Sequence, residues 1–172
     1  EAQKQLERRA FENKRLLTTF NDPVRHWLDL YVYQDFVDRD GKFQLVMLSY
    51  SSFATLASSM FPMLKEEAYH LSTGHDGIKR VIRAGKVPPR IIQKYLNKWI
   101  SSSFDLFGID HSTSAHWFYE WGLKGRFDEP SAGEVDRNHI NEHNRMLYRK
   151  EAERLIAQLN RFPEFSLLDG TP

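Results

Sequence analysis

Apolar side chains recur every three or four residues along most of the chain, with polar residues between them. This spacing is typical of amphipathic α-helices, and no segment keeps up the strict alternation of a half-buried β-strand. The sequence therefore predicts an all-α protein. A first helix is expected at residues 1–17, where Leu6, Ala10 and Leu17 lie along one side of a charged segment.

Capping residues mark where the next two helices begin and end. Asp22 and Pro23 form an N-cap and a first-turn proline, which predicts a helix through WLDLYVYQDFV and on into KFQLVMLSY. Ser58 or Ser59 is expected to open the following helix, which ends in basic residues. Gly85, with two prolines after it, is expected to be the left-handed C-terminal cap of that helix.

The rest of the chain is predicted to be helical, with one irregular region. A helix is expected from about residue 90 to 102, followed by an aromatic segment at 106–130 that glycines interrupt and that should pack irregularly. A last long helix is expected to run from Asp136, its N-cap, to Asn160. The aromatic residues at 117–121 could wall an aryl pocket, but core packing is the commoner use.

Length and composition limit the possible functions. With 172 residues and 41% hydrophobic content, the chain suits one helical domain, 1–172. No apolar run is long enough for a membrane span and no signal peptide is recognisable, so a cytoplasmic protein is expected. The net charge of +1 gives no field that would favour nucleic acid or an anionic membrane. Because no initiator methionine is present, we expect the sequence to be part of a longer chain.

The absence of cysteine narrows the kinds of metal site that the chain can form. It excludes disulfides, thiolate zinc sites and iron–sulfur clusters bound by this sequence. Any metal ion must therefore be held by carboxylates and imidazoles, which are the ligands preferred by iron, manganese and zinc sites without thiolates.

A glutamate and a histidine three residues apart are the first candidate ligands. If their region is one helix, Glu67 and His70 lie on its apolar side and Glu66 on its solvated side. A buried carboxylate is costly unless it is paired or bound to a metal, and Glu-x-x-His is the spacing used by di-iron bundles. Gly74 and Gly77 are expected to leave room beside the site. An internal Glu–His ion pair is the ordinary alternative.

A partner carboxylate would strengthen the metal hypothesis. In a helical hairpin with its turn near 52–58, the residues opposite the Glu-x-x-His pair lie roughly 30 positions upstream, where Asp35 and Asp38 occur. The segment VDRDGK, residues 37–42, also has the composition of a solvated Asp-Gly turn. The sequence pattern alone does not decide between a metal site and a solvated turn at residues 37–42. His75 is expected to be a core or hydrogen-bonded histidine.

Two other patterns compete for a function. His139, Glu142 and His143 spell the H-x-x-E-H motif of inverted zinc peptidases, but those enzymes need a third ligand well downstream. A helix N-terminus with exposed histidines is the preferred interpretation. Basic clusters at 79–86 and 145–154 could bind the phosphates of coenzyme A, although solvated helix faces are their commoner use.

One long stretch resembles a known family. The segment MLKEEAYHLSTGHDGIKRV, with LYVYQDFVDRDGKFQL before it and NEHNRMLYRKEAERLIAQLNR after it, is similar to the oxygenase components of the benzoyl-CoA 2,3-epoxidase family. These are ferritin-like di-iron enzymes related to the phenylacetyl-CoA epoxidases. The resemblance implies a ferritin-like helical bundle in which Asp38, Glu67 and His70 are metal ligands. Residues 23–86 would then be the second, metal-binding helix pair and residues 87–172 a C-terminal helical extension.

The resemblance also implies an activity. It implies a di-iron monooxygenase that uses dioxygen to epoxidise the aromatic ring of benzoyl-CoA, an aryl-CoA thioester. Electrons would come from a separate NADPH-dependent flavin and iron–sulfur reductase, and the other iron ligands would lie upstream of Glu1. A ferritin-like iron-storage or peroxide-reducing protein and a metal-free helical interaction module remain the alternatives.

Overall fold

The structure is a computed structural model that describes residues 17–124 and 139–162. Its elements are a 3-10 turn at Thr18–Asn21 and helices α1 (Trp27–Ser49), α2 (Ala54–Ala84), α3 (Pro89–Leu106), α4 (Thr113–Glu120) and α5 (Ile140–Leu159). Within these ranges there is no strand, so the all-α prediction is confirmed, and the arrangement is consistent with part of a ferritin-like bundle. No helix in the described ranges is both long and apolar enough to cross a membrane. The helix expected at 1–17, with Leu6 and Ala10, lies outside the described residues except for Leu17.

Helix α1 begins later than its capping signal predicted. Asp22 closes the 3-10 turn through its N–H, which donates to the carbonyl of Thr19 at 3.3 Å. The N-cap is His26, whose Nδ1 accepts the N–H of Asp29 at 3.2 Å. The prediction that Asp22 and Pro23 start this helix is therefore wrong: an imidazole further along the chain satisfies the first free amide.

Helix α1 also continues through the segment that has the composition of a turn. Residues 37–42, with Gly41 among them, are helical. Val37 is buried, and the polar side chains of Arg39 and Asp40 are buried as well, each with partners inside the protein. Tertiary packing thus outweighs the local turn signal, and a solvated turn at this position is excluded.

Helix α2 starts at Ala54, before the serines that were expected to open it. The hydroxyls of Ser58 and Ser59 donate back to carbonyls three residues earlier, at 3.1 Å and 2.8 Å, as hydroxyls inside helices commonly do. Pro62 lies inside the helix. The C-terminal cap is as predicted: Gly85 has a φ of +62°, and its N–H donates to the carbonyl of Ile82 at 2.9 Å.

A short helix, α4, occupies part of the aromatic region that was expected to be irregular. The hydroxyl of Ser112 accepts the N–H of Ala115 at 3.1 Å and caps the helix, a signal that the glycine-based interpretation overlooked. Tyr119 is buried, but Trp117 and Trp121 are 46% and 63% exposed. Core packing is thus correct for Tyr119 and wrong for the two tryptophans.

The start of α5 is held by a residue distant in sequence. Asp110 accepts the N–H of Asn141 on Oδ1 and the N–H of Glu142 on Oδ2, both at 2.9 Å. A carboxylate at a helix N-terminus satisfies free amides and is favoured by the helix dipole. Asp136, the expected N-cap, lies outside the described residues, and the helix itself begins at Ile140.

Helix α1 lies at the centre and packs against α2, α3 and α5. Its buried apolar residues therefore occur on several sides, among them Val32 and Phe36. Trp99 of α3 and Tyr148 of α5 are fully buried in the same core. The indole N–H of Trp99 also donates to the buried carboxylate of Asp29 at 2.6 Å. The helix that carries Asp38 is thus fixed by neighbours on three sides.

Candidate metal centre

Three side chains from the α1–α2 hairpin converge at one point. The Nδ1 of His70 lies 3.7 Å from Oδ2 of Asp38 and 3.8 Å from Oε2 of Glu67. One possible ligand atom from each residue lies within 4.8 Å of the others. Across residues 17–124 and 139–162, this is the only group of three or more histidine and carboxylate side chains with such spacing. The structure therefore brings together the three predicted site residues.

The register of the hairpin explains the convergence. Asp38 lies about eleven residues before the end of α1, and Glu67 about thirteen residues after the start of α2. At a rise of about 1.5 Å per residue, both are roughly 17 to 20 Å from the turn. Glu67 and His70 are separated by nearly one helical turn, so both face Asp38. Glu66 is exposed, as the helical phase predicted.

The cluster is half-buried. The side chains of Asp38 and Glu67 are 18% and 21% exposed, and that of His70 is 44% exposed. Within the described residues, all three side chains thus keep part of their surface accessible. Large apolar side chains on α2, namely Phe61 and Tyr69, are also exposed on this helix.

In the absence of a cation, the environment of the cluster disfavours the ionised forms of Asp38 and Glu67. Burial, and after it the charge of Glu67, raise the pKa of Asp38 to about 7 against the opposing influence of His70. Burial also raises the pKa of Glu67, again against the influence of His70. Both groups are thus held where their ionised forms are penalised. A bound cation would reverse this penalty.

The distances and partners are compatible with a metal ion as well as with an internal ion pair. Separations of 3.7 and 3.8 Å exceed the 2.7–3.2 Å of a protein hydrogen bond and lie within the range of an ion pair. The Oε2 atom of Glu67 is buried and has no hydrogen-bond partner among the described residues. Two carboxylates and an imidazole are a donor set that suits iron, manganese or zinc. The residues present therefore fit a divalent metal.

Asp35, the other carboxylate considered for this site, has a different environment. It is fully buried, its Oδ1 lies 2.5 Å from the guanidinium of Arg39, and its Oδ2 lies 2.9 Å from Nδ1 of His75. Both oxygens are occupied, so Asp35 is not available to join Asp38. The expectation that His75 is a hydrogen-bonded histidine is confirmed.

A buried carboxylate two residues after Asp38 was missed from the sequence. Asp40 belongs to the segment for which a solvated turn was one alternative, but it is 3% exposed and accepts a hydrogen bond from the side chain of Gln44 at 3.3 Å. Burial raises its pKa to about 7, against the hydrogen bond from Gln44 and the charge of Lys124. The four-residue spacing of Asp40 and Gln44 was the one local sign of this contact.

The two glycines after the Glu-x-x-His pair do not leave room beside the site, contrary to expectation. A Cβ on Gly74 would lie 2.6 Å from the backbone nitrogen of Asp35 and 2.7 Å from the carbonyl oxygen of Tyr31. A Cβ on Gly77 would lie 2.3 Å from the ring of Tyr31. Gly74 instead allows the backbones of α1 and α2 to approach closely, and Gly77 leaves the space that the ring of Tyr31 occupies.

The competing patterns form no second site in the part of the chain that the structure describes. His139 is the N-cap position of α5, with its ring 5.8 Å from that of His111, and no third ligand joins it with Glu142 and His143. The basic residues Arg145 and Arg149 form ion pairs with glutamates on their own helix, at 3.0 and 2.9 Å. Arg149 belongs to a solvated helix face, the commoner use of such clusters, whereas Arg145 is partly buried and also donates to the carbonyl of Gly108.

Substitution of Glu66 and of Glu67 should show which of these adjacent glutamates binds a metal ion and which only lies on the surface. In the complete protein we expect Glu67→Ala to remove most metal binding, because it deletes one of three candidate ligands, and Glu66→Ala to leave metal binding unchanged. Metal content after purification, with the folded state checked by circular dichroism, measures the difference. Equal metal loss in two folded variants would show that the orientation of α2 is wrong.

Metal affinity should rise with pH. Because the pKa of Asp38 is about 7 in the folded, metal-free protein, a proton must leave before the carboxylate can bind a cation. Deprotonation of one such group should raise the affinity for the metal ion roughly fivefold between pH 6 and pH 7, with little further gain above pH 8. Cobalt(II) titrations at these pH values measure the effect, and equal affinity at pH 6 and pH 8 would contradict it.

The same shift has the opposite effect on the stability of the metal-free protein. When folding raises the pKa of a carboxyl group, the contribution of that group to the free energy of unfolding is fully present below its pKa in the unfolded chain, near 3.8. That contribution is lost as the pH rises through about 7. Thermal unfolding of the metal-free protein should therefore show a falling contribution from Asp38 between pH 5 and pH 8, and Asp38→Asn should reduce this pH dependence.

The chain is similar to a protein family and to a member of known name. The family model described as "Phenylacetic acid catabolic protein" matches residues 1–150. Benzoyl-CoA oxygenase component B of Aromatoleum evansii is 38% identical over 159 residues, which cover 80% of this chain and 34% of that protein. The chain thus spans about a third of the length of the curated relative that it matches.

Proposed function

The chain belongs to the phenylacetic acid catabolic protein family, and on that premise we propose that it is part of the oxygenase component of an aryl-CoA monooxygenase. Its proposed substrate is benzoyl-CoA, and its proposed reaction is epoxidation of the aromatic ring with dioxygen. Asp38, Glu67 and His70 are proposed to supply part of the ligand set of a di-iron centre. The relative named benzoyl-CoA oxygenase component B supports this substrate class.

The observation that carries the proposal is the convergence of Asp38, Glu67 and His70 on two neighbouring helices. In helical bundles that bind two metal ions, carboxylates and Glu-x-x-His pairs project inward from facing helices. The α1–α2 hairpin offers one carboxylate and one such pair, which is half of that arrangement. The remaining ligands are proposed to come from a second helix pair of the complete protein.

Each residue has a defined task in this proposal. The carboxylates of Asp38 and Glu67 neutralise the charge of the cations, and each gives up any proton when a metal ion binds. His70 offers the lone pair of Nδ1, which is the ring nitrogen that faces both carboxylates. Iron at this position would supply the reduction of dioxygen, with one oxygen atom added to the aromatic ring and the other leaving as water.

The electrons are proposed to come from a second protein. The reaction consumes two electrons and two protons for each dioxygen, and the sequence contains no cysteine that could hold an iron–sulfur cluster. We propose a separate NADPH-dependent reductase with flavin and iron–sulfur groups as the donor. The word "component" in the name of the relative agrees with a system of more than one protein.

The decisive experiment uses the complete natural protein, purified with iron(II) under reducing conditions. We expect close to two iron atoms per chain, binding of benzoyl-CoA, and incorporation of one atom of labelled dioxygen into the product when NADPH and reductase are present. Iron binding without aryl-CoA binding would instead support a storage or peroxide-reducing protein. A folded protein that binds no iron would support a metal-free helical module and overturn the proposal.

A further inference from the structure

A network of charged side chains, buried at Asp35 and Arg39 and partly exposed at Glu151, joins three helices beside the candidate metal centre. The guanidinium of Arg39 contacts Oδ1 of Asp35 and Oε1 of Glu151 on α5, each at 2.5 Å. The other oxygen of Asp35 contacts Nδ1 of His75 on α2 at 2.9 Å. Lys42 approaches Oε2 of Glu151 at 3.3 Å. The network therefore runs from α5 through α1 to α2.

Two residues of the network, Asp35 and Arg39, flank the candidate metal ligand Asp38 in the sequence of α1. Arg39 directly follows Asp38, and Asp35 precedes it by nearly one helical turn. The Nε atom of Arg39 also donates to the backbone carbonyl of Asp35 at 2.9 Å, so this guanidinium binds both the side chain and the backbone of that turn. Any movement of Arg39 is thus transmitted to the turn that carries Asp38.

Stability alone is a weak reason for such a network. Replacing buried ion pairs by apolar residues of similar volume is often neutral or stabilising, because removing charges from water is costly. Asp35 is fully buried, and Arg39 is 6% exposed. What the network provides is geometry: the planar guanidinium binds carboxylates in a fixed fork, with little freedom of angle.

We propose that Glu151 is a positioning residue for the metal centre and acts through Arg39 and Asp35. This inference rests on the proposed metal site and extends it to α5, which contributes none of the three candidate ligands. Glu151 fixes Arg39 from one side, Arg39 fixes Asp35, and Asp35 holds His75 of α2. The link sets the spacing of α1 and α2 next to Asp38, where a catalytic arrangement tolerates displacements of only about 0.5 Å.

Glu151→Gln in the complete natural protein tests this role. The amide keeps the shape of the side chain but loses the charge that holds Arg39, so α1 should shift slightly at Asp38. We expect affinity for cobalt(II) to fall about tenfold, as is usual for residues that orient metal ligands, and the visible absorption of bound cobalt to change. A residue that supported only the fold would lower the unfolding temperature and leave the cobalt spectrum unchanged.

Glu153→Gln is the matched control, because Glu153 lies on the same helix in an exposed pair with Arg149 at 2.9 Å. We expect its cobalt affinity and spectrum to equal those of the wild type. Glu151→Asp keeps the charge and guards against a variant that fails to fold. Its affinity should lie between those of the wild type and Glu151→Gln.

The outcomes separate this inference from the proposed function. If the folded wild-type protein binds no cobalt or iron, the proposed metal site itself is wrong. If the wild type binds cobalt and both folded variants at position 151 keep its affinity and spectrum, only the positioning role is overturned. If Glu151→Gln does not fold, the affinity and spectrum of Glu151→Asp decide the question.

Discussion

Asp38→Asn is expected to lower the metal affinity of the complete protein by more than about 100-fold and to abolish oxygenation. The change keeps the shape of the side chain but removes the negative charge that a cation requires of this ligand. Loss of residues that merely orient ligands costs about 10-fold to 100-fold, so loss of a ligand should cost more. Metal content and competition with a chelator measure the effect.

Asp40→Asn is the matched control for this prediction. Asp40 lies two residues further along α1, is buried, and accepts a hydrogen bond from Gln44, but it does not belong to the cluster. Because burial raises its pKa to about 7, a neutral amide should be tolerated there. If Asp38→Asn kept full metal content and activity, or if Asp40→Asn lost both, the assignment of Asp38 as a ligand would be wrong.

Asp38→Glu gives a second, sharper test of the same position. It keeps the charge but moves the carboxylate by one methylene, about 1.5 Å, which exceeds the roughly 0.5 Å that a catalytic arrangement tolerates. We expect metal to be partly retained and oxygenation to be lost. Full activity of Asp38→Glu would show that the carboxylate at this position needs only its charge.

Gly74→Ala is expected to cause the largest loss of stability among the glycine-to-alanine substitutions in the hairpin. The new Cβ would lie 2.6 and 2.7 Å from backbone atoms of α1, and backbone atoms in the middle of a helix cannot move aside separately. Overpacking of this kind costs about 1 to 3 kcal/mol or more. Because relief requires the two helices to separate, metal affinity should fall together with the unfolding temperature.

Two other glycines provide controls for Gly74→Ala. For Gly77→Ala the nearest atoms belong to the ring of Tyr31, a partly exposed side chain that can move by a change of χ1, so its cost should be smaller than that of a clash with backbone. Gly41→Ala would place its Cβ 3.5 Å from Oε1 of Glu67, which is an ordinary contact. It should stabilise α1 by up to about 1 kcal/mol through helix propensity. Equal unfolding temperatures for the Gly74 and Gly41 variants would contradict the close approach of α1 and α2.

The sequence by itself determined those features that depend on local geometry. Helical periodicity predicted the all-α class, and the left-handed cap at Gly85 followed from the absence of a Cβ. The orientation of Glu67, with Glu66 on the solvated side, required only a helix of 3.6 residues per turn. The resemblance to a family of oxygenase components was carried by the same residues, and the family was confirmed.

Only the tertiary structure decided which residues meet across helices. Asp35, Asp38 and a solvated turn were all compatible with the local pattern, because that pattern contains no information about the neighbours of α1. Packing against α2, α3 and α5 buries the polar side chains of Arg39 and Asp40 and keeps residues 37–42 helical. Two ion-pair contacts then occupy Asp35 and leave Asp38 to face Glu67 and His70.

The glycines and the aromatic segment show the same division. Whether Gly74 opens a cavity or allows two backbones to touch depends on what lies opposite, and the structure places α1 there. The exposure of Trp117 and Trp121 depends likewise on which side of α4 meets the core. Local spacing specifies the face of a helix on which a residue lies, whereas long-range packing decides what that face contacts.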